Sequence, residues 1–305
     1  MKRQVLVMKR FIKTIFILMM ALMVFSGCTD KDTSDTILDN QSNNTSTTAT
    51  DNMNENNTSQ EAVSDGIWLV TKQTKYRTDG SIYSWIGYDY NSNGNMTKKT
   101  YYGADSSVIL WEEYEYDTNC NKKKYTSYDE NGHISRWTEY EYDSRDNKLK
   151  YTTYTEDGTI LNCNEEKYDS DGNITKITAY DTNGSVTEWF DYEYDSQGNV
   201  PKIICYKADG SINRWSESEY DNNGNKTKGT SYNSDGSIIR WEEYEYDSNG
   251  NVTKDVNYNS DGSIEFWNKY KYEYDSNGNI VKKTYYDSDD SIVFWEEYEY
   301  ELLNQ

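Results

Sequence analysis

His133 is the only histidine of this 305-residue chain, and Cys28, Cys120, Cys163 and Cys205 are its only cysteines. Nucleophilic or general-base catalysis needs such a group beside convergent partners. His133 lies in an Asn-Gly-His turn step, so it reads as a surface histidine. Carboxylates are plentiful, but a catalytic dyad needs one singular pocket that separates two pKa values. Glu242, Glu243 and Glu245 have counterparts all along the chain and read as a solvated face. Asp169-Ser170-Asp171-Gly172 and Asn259-Ser260-Asp261-Gly262 echo fragments of calcium loops. An EF-hand loop needs acids at its first, third and fifth positions and Glu at its twelfth. With Gly262 as the sixth position, Asn257 falls first and Asn268 twelfth, so that ligand set fails. Turn formation explains these Asp and Asn residues without metal. Weak Ca2+ binding through local acidity stays open as an alternative, no other cofactor is expected, and the chain is not expected to be an enzyme. Beyond Cys28, three cysteines remain at unrelated places, and an odd number cannot all pair internally.

The residues that repeat are aromatic. Trp85, Trp111, Trp137, Trp189, Trp215, Trp241 and Trp267 share a 26-residue spacing; Cys163 takes the missing beat and Trp295 arrives two residues late. A fixed period marks one supersecondary unit copied along the chain, each copy packing on its neighbours. Rings held at regular intervals suit stacking on a sugar or another polymer, with repetition supplying avidity. Trp111, Trp137, Trp189, Trp215, Trp241 and Trp267, with Tyr114, Tyr140 and Tyr244, are therefore the candidate ligand-binding residues.

The elements that must carry them are strands. The chain is 34% hydrophobic and 15% aromatic, with 31 Tyr, 18 Gly and one Pro. That is too aromatic for disorder and too poor in aliphatic residues for a thick core, and it suits a thin sheet with many turns. The net charge of −22 argues against nucleic acid as a partner, which needs a basic footprint. In one copy a first strand covers Ile238 to Tyr246, a turn Asp247 to Asn251, a second strand Val252 to Tyr258, and a second turn Asn259 to Ser263. Asn-Gly and Asp-Gly steps between β-rich runs are strong hairpin signals, because glycine enters positive φ cheaply. Ser106, Cys120, Asp146 and Asp290 stand where the other copies have that glycine. Lys271-Tyr272 reads as a two-residue insertion, which preserves strand facing and explains the late Trp295.

Alternation across a strand puts Ile238, Tyr244 and Tyr246 on one face and Trp241 on the other, unless a bulge beside the tryptophan brings it back. A five-residue turn pairs Tyr246 with Val252 and Tyr244 with Lys254, and the second turn pairs Tyr258 with Ile264. The same spacing gives Tyr88–Lys98, Tyr114–Lys124, Tyr140–Lys150 and Tyr192–Lys202. Such cross-strand pairs cohere a sheet, and the lysine row argues against a dry core on that face. The expectation is an all-β fold over residues 66–305: an extended antiparallel meander of about nine 26-residue hairpins, single-layered or spiralling, and wet on both sides.

Both turns read Tyr-Asp-x-(Asn/Asp)-Gly-(Asn/Ser)-aliphatic, as in Tyr246-Asp247-Ser248-Asn249-Gly250-Asn251-Val252 and Tyr168-Asp169-Ser170-Asp171-Gly172-Asn173-Ile174. Here the chain resembles the YD-repeat, or RHS-repeat, family over roughly residues 76–300. The resemblance implies long antiparallel sheets that spiral, in some members into shells around toxin cargo. The strong tryptophan and the 26-residue spacing depart from the usual family pattern.

Residues 1–27 carry five cations (Lys2, Arg3, Lys9, Arg10, Lys13), no acid and an apolar run from about Thr14 to Phe25, the pattern of a signal peptide starting at Met1 or Met8. Val24-Phe25-Ser26-Gly27-Cys28 resembles a bacterial lipobox, with Phe25 in place of the usual leucine. That resemblance implies cleavage before Cys28, lipidation of its thiol and anchoring on the extracytoplasmic face of the cell membrane. Residues 28–65 hold 20 Asn, Ser or Thr and eight acids against Lys31 alone, so a disordered acidic tether is expected. The functions in contention are a surface-anchored binding or adhesion module for cell-wall glycan, host glycan or a surface protein; a passive spacer; and a remnant of RHS-type toxin delivery.

Overall fold

The structure is a computed structural model and describes residues 67–287 and 289–303. Cys28, the leader 1–27 and the tether 28–65 lie outside the described residues.

Eighteen strands run from β1 (Ile67–Arg77) to β18 (Ile292–Leu303), each antiparallel to the one before it. β1 also pairs along its length with β18, so the meander closes into a barrel. The expected run of hairpins is present, but its ends meet instead of remaining open. Accumulated twist curls a long sheet, and joining the ends pairs the two rows of backbone groups that an open edge would expose. The two-residue insertion lies at the end of β16 (Ile264–Tyr274): Tyr272 makes the hydroxyl bond that Tyr246 makes in its own copy, while Tyr274 takes the turn pairing of Tyr246, opposite Ile280.

Each turn closes in the same way. In the turn after β14 (Ile238–Tyr246), the Gly250 N–H donates to the Asp247 carbonyl and the Asp247 N–H to the Asn251 carbonyl. Gly250 sits at φ 82°, the left-handed residue that ends a three-residue hairpin loop. Ser106, Cys120, Asp146 and Asp290 are forced to φ between 58° and 68°. A side chain there costs about 1–2 kcal/mol that glycine avoids. Ser106→Gly and Cys120→Gly are each expected to raise the urea midpoint by the equivalent of about 0.5–1 kcal/mol, after the backbone entropy cost of glycine.

All but one of the strand pairings also carry a bulge, and these decide the faces. Opposite β14, β15 (Val252–Asn259) slips at Thr253, so Tyr246 meets Val252 as expected but Tyr244 meets Asp255 and Glu245 meets Lys254. The expected tyrosine–lysine pairs are likewise replaced: Lys98, Lys124, Lys150 and Lys202 pair with Asp89, Glu115, Glu141 and Glu193. A one-residue slip moves a side chain to the opposite face. A second slip beside Ile239 seats Ile238 opposite Tyr232, on the Trp241 face instead of with Tyr244.

The two faces differ in burial. Tyr88, Tyr192, Cys205 and Glu166, all on the tyrosine face, are buried. Glu115, Glu141 and Glu245, on the tryptophan face, are exposed. A closed sheet crowds side chains on its concave side, so the tyrosine face lines the barrel and the tryptophans look outward. Nine tyrosines tie successive copies together from within: the hydroxyls of Tyr90, Tyr116, Tyr142, Tyr168, Tyr194, Tyr220, Tyr246, Tyr272 and Tyr300 each donate to the carbonyl of the residue 20 earlier. Tyr246→Phe leaves the Lys226 carbonyl without this donor. It is expected to cost about 1–2 kcal/mol, seen as a lower urea midpoint at unchanged slope.

Candidate functional site

The candidate aromatic residues divide between the two faces. Trp111 is held on the outside by its cross-strand partners: Thr100 and the Lys98 ammonium on one side, Tyr128 on the other. The Trp111 and Tyr128 rings stack 5.0 Å apart. Trp137, Trp189, Trp215 and Trp241 stack on Tyr154, Tyr206, Tyr232 and Tyr258 at 4.9–5.2 Å. Tyr76 of β1 stacks on Trp295 of β18, so the same pair spans the closing seam. Lys124, Lys176, Lys254 and Lys282 lie over Trp137, Trp189, Trp267 and Trp295 at 4.4–6.0 Å. The insertion pairs Lys269 of β16 with Tyr286 of β17 (Ile280–Tyr286), which carries Tyr286 away from Trp267. Thr74, Thr100, Thr126, Thr178, Thr230 and Thr284 are buried opposite a tryptophan. Most of these indole faces thus meet protein on one side or both.

The lysines close ion pairs along the same surface, among them Lys72–Glu299 at 2.7 Å across the seam, Lys254–Glu245 at 3.0 Å and Lys98–Glu113 at 3.6 Å. Between β13 (Lys226–Asn233), β14 and β15 they border a shallow groove of about 430 Å³, lined in part by Lys228, Glu243, Lys254, Val256 and Tyr258.

Tyr114, Tyr140 and Tyr244 lie inside. The Tyr114 hydroxyl donates to Glu112 Oε2 at 2.9 Å, and that carboxylate also accepts from Tyr125 at 2.9 Å and Tyr101 at 3.3 Å. Tyr140 packs tilted against Tyr151. Glu296 accepts from Tyr285 and Tyr298 at 3.0 Å each, and Asp255 from Tyr270 and Asn268. Burial first, then the adjacent carboxylates, push these hydroxyls up: Tyr125 to about 12, and Tyr101, Tyr114, Tyr244, Tyr285 and Tyr298 in the same direction. At neutral pH they are proton-bearing donors that hold carboxylates.

Glu243 and Glu245 are on the outer face, but Glu242 turns inward onto Lys226 Nζ at 2.7 Å, a correction to the single solvated face. The signal that could have found it is the residue directly after each tryptophan, which the outward facing of that tryptophan turns inside.

The turn acids are engaged locally. Asp247 Oδ1 accepts the N–H groups of Asn249 and Asn251, and Asp261 Oδ1 accepts the N–H and hydroxyl of Ser263. Among the described residues no group of three His, Cys, Asp or Glu side chains is placed to hold a metal ion. His133 is an exposed turn residue with Nδ1 3.2 Å from Asp129 Oδ2. Cys120, Cys163 and Cys205 are free thiols, and burial pushes that of Cys205 up to about 11.

Residues 168–212 match the family described as RHS Repeat, and residues 215–253 match one described as a protein of unknown function, DUF2963. No curated protein matches. Among solved structures, the chain is similar to a porin-like protein from Bacteroides uniformis, at 13% identity and a TM-score of 0.42 over 76% of this chain and 98% of that one. It is similar also to TcdB2-TccC3, at 14% identity and a TM-score of 0.34 over 68% of this chain but only 14% of that one. Over residues 168–212, the tyrosine–aspartate hairpin of this barrel matches the RHS, or YD, repeat.

Proposed function

We propose that the protein is a lipid-anchored, surface-displayed binding module that does no chemistry of its own and presents one repeated surface to a macromolecule. The observation that carries this reading is the outward tile of tryptophan, tyrosine, lysine and acid, repeated almost unchanged around the barrel. A ligand met by such a tile can be a polymer or a protein, and repetition raises avidity. The charged pairs Lys98–Glu113, Lys202–Glu217 and Lys282–Glu297 occupy the outer band that a membrane-spanning barrel keeps apolar. This supports a barrel that stands in water, with lipid on Cys28 as its link to the membrane.

Two measurements test the reading. Cys28→Ala is expected to move the protein from the membrane fraction to the medium, or to leave it unprocessed at its leader; normal membrane retention would defeat the anchor. The full chain, titrated with cell-wall and host polysaccharides and with surface protein extracts, is expected to show a saturable shift in tryptophan fluorescence with at least one of them. The filled indole faces also favour a second reading, a passive spacer whose ladders are purely cohesive. The absence of any shift would select it.

A further inference from the structure

The second turn of every hairpin lies at the rim opposite Ile67 and Leu303, because β1 starts and β18 ends at the rim of the first turns. The rim of the second turns, away from Ile67 and Leu303, is the distal one. There, each strand that bears the tryptophan opens on an aliphatic residue paired with a tyrosine, as in Ile134–Tyr128, Ile212–Tyr206, Ile238–Tyr232 and Ile264–Tyr258. These aliphatics are exposed, Ile238 at 39% and Ile264 at 54%, in a chain otherwise sparing of aliphatic residues. Threonine would satisfy the strand equally well. A repeated exposed isoleucine marks an interaction surface. The turn tips beside this collar are acidic: Asp209, Asp235 and Asp261 are held ionised to low pH, first by the serine hydroxyl two residues on and then by its N–H.

Three occupants fit poorly. A second copy, rim to rim, would press acidic tips against acidic tips. A sugar needs an open ring face, and the indoles between the isoleucines are stacked on tyrosine. A peptide strand needs a sheet edge, and the barrel has none. Successive collar residues are two strands apart, about 10 Å. Residues seven apart on an α-helix are separated by nearly the same distance, about 10.5 Å. We propose that the distal rim docks a protein partner through a basic amphipathic helix whose apolar residues recur every seven positions, seated on consecutive isoleucines with its cations over the acidic turn tips. This proposal rests on the display reading above and names its partner class.

The probe is a labelled synthetic helix of about 21 residues, roughly two collar steps longer than one contact, made of leucine and lysine in heptads. It is titrated by fluorescence anisotropy against the full chain in phosphatidylcholine nanodiscs. Binding is expected to saturate, and to weaken at least about tenfold for a scrambled peptide of the same composition and for the protein with Ile212→Ser, Ile238→Ser and Ile264→Ser together. Asp209→Asn, Asp235→Asn and Asp261→Asn together keep the turn hydrogen bonds and are expected to weaken binding mainly at low salt. They also serve if the serine variant fails to give the parent circular dichroism spectrum. Equal binding by the scrambled peptide, or binding indifferent to both triple variants, overturns the proposal. So does a polysaccharide whose retention alone is lost in the serine variant, or a dimer that the serine changes convert to monomer. If Cys28→Ala releases the protein while the helix does not bind, only this inference falls; if the helix binds but anchoring fails, only the display reading falls.

Discussion

Raising the pH beyond about 11 is expected to unfold the barrel in one steep step, with tyrosinate absorbance and loss of β-sheet signal rising together. A tyrosine in an unfolded chain releases its proton near pH 10. Inside the barrel, burial and then the Glu112 charge hold Tyr125 at about 12, and burial and then Glu166 hold Tyr151 at about 12. Tyr101, Tyr114, Tyr244, Tyr270, Tyr285 and Tyr298 are raised in the same direction. A raised folded-state pKa means that between about 10 and 12 the folded chain keeps protons the unfolded chain has lost. Stability is therefore complete below pH 10 and falls as pH climbs through that window. One unit is worth about 1.4 kcal/mol, so Tyr125 and Tyr151, each held at about 12 instead of about 10, together reach the low end of the 5–15 kcal/mol typical of a domain. Rings nearer the rims, such as Tyr142 and Tyr300, count for less because water screens them. Glu112→Gln removes the charge beside three hydroxyls and is expected to bring their ionisation to lower pH. A gradual titration centred near pH 10 with the sheet intact would mean that the inner face is hydrated, and would defeat the account.

The turns were the most legible part of the sequence. The four residues that replace glycine, Ser106, Cys120, Asp146 and Asp290, are the four non-glycine residues at positive φ among those described. The pairs nearest each turn, Tyr246–Val252 and Tyr258–Ile264, also follow from loop length alone. The middle of each hairpin was not legible, because an extra residue at Thr253 or Ile239 leaves little mark in composition yet flips everything beyond it. Thr97, Thr175 and Thr227, at the Thr253 position, donate to the facing carbonyls of Asp89, Lys167 and Glu219, a sign too slight to read forward. Closure was equally hidden: nothing in Lys72 or Glu299 announces that they meet 227 residues apart. The candidate site inherited both gaps. Alternation alone set Tyr244 and Trp241 on opposite faces, but which face lines the barrel, with Tyr114, Tyr140 and Tyr244 inside and the tryptophans outside, follows only from closure.

The copy that lacks its tryptophan departs from the pattern on both faces, and there a single substitution is expected to do the most damage. Cys163 takes the outer position, and Tyr180 opposite it donates to Glu165 Oε2 at 2.8 Å. Three residues on, where Tyr114, Tyr140 and Tyr244 stand in their copies, Glu166 points inside with its side chain 1% exposed. Lys148 Nζ lies 3.1 Å from Oε1, and the Tyr168 hydroxyl reaches Oε2. Burial already lowers the Lys148 pKa, opposed by the Glu166 charge. Glu166→Ala strips that opposition and strands a cation away from water, a loss of about 3–5 kcal/mol. Joining Glu166→Tyr to Lys148→Val installs the residue types that Val252 and Tyr270 supply at the same two places elsewhere in the ring, and is expected to match the parent or exceed it, since an apolar replacement of a buried ion pair often does. Urea midpoints at pH 7 decide the matter. A Glu166→Ala midpoint within about 0.5 kcal/mol of the parent would show the pair to be solvated. A double variant as unstable as the single one would mean that the ring needs charge at this place, which copies that touch only their neighbours give no reason to expect.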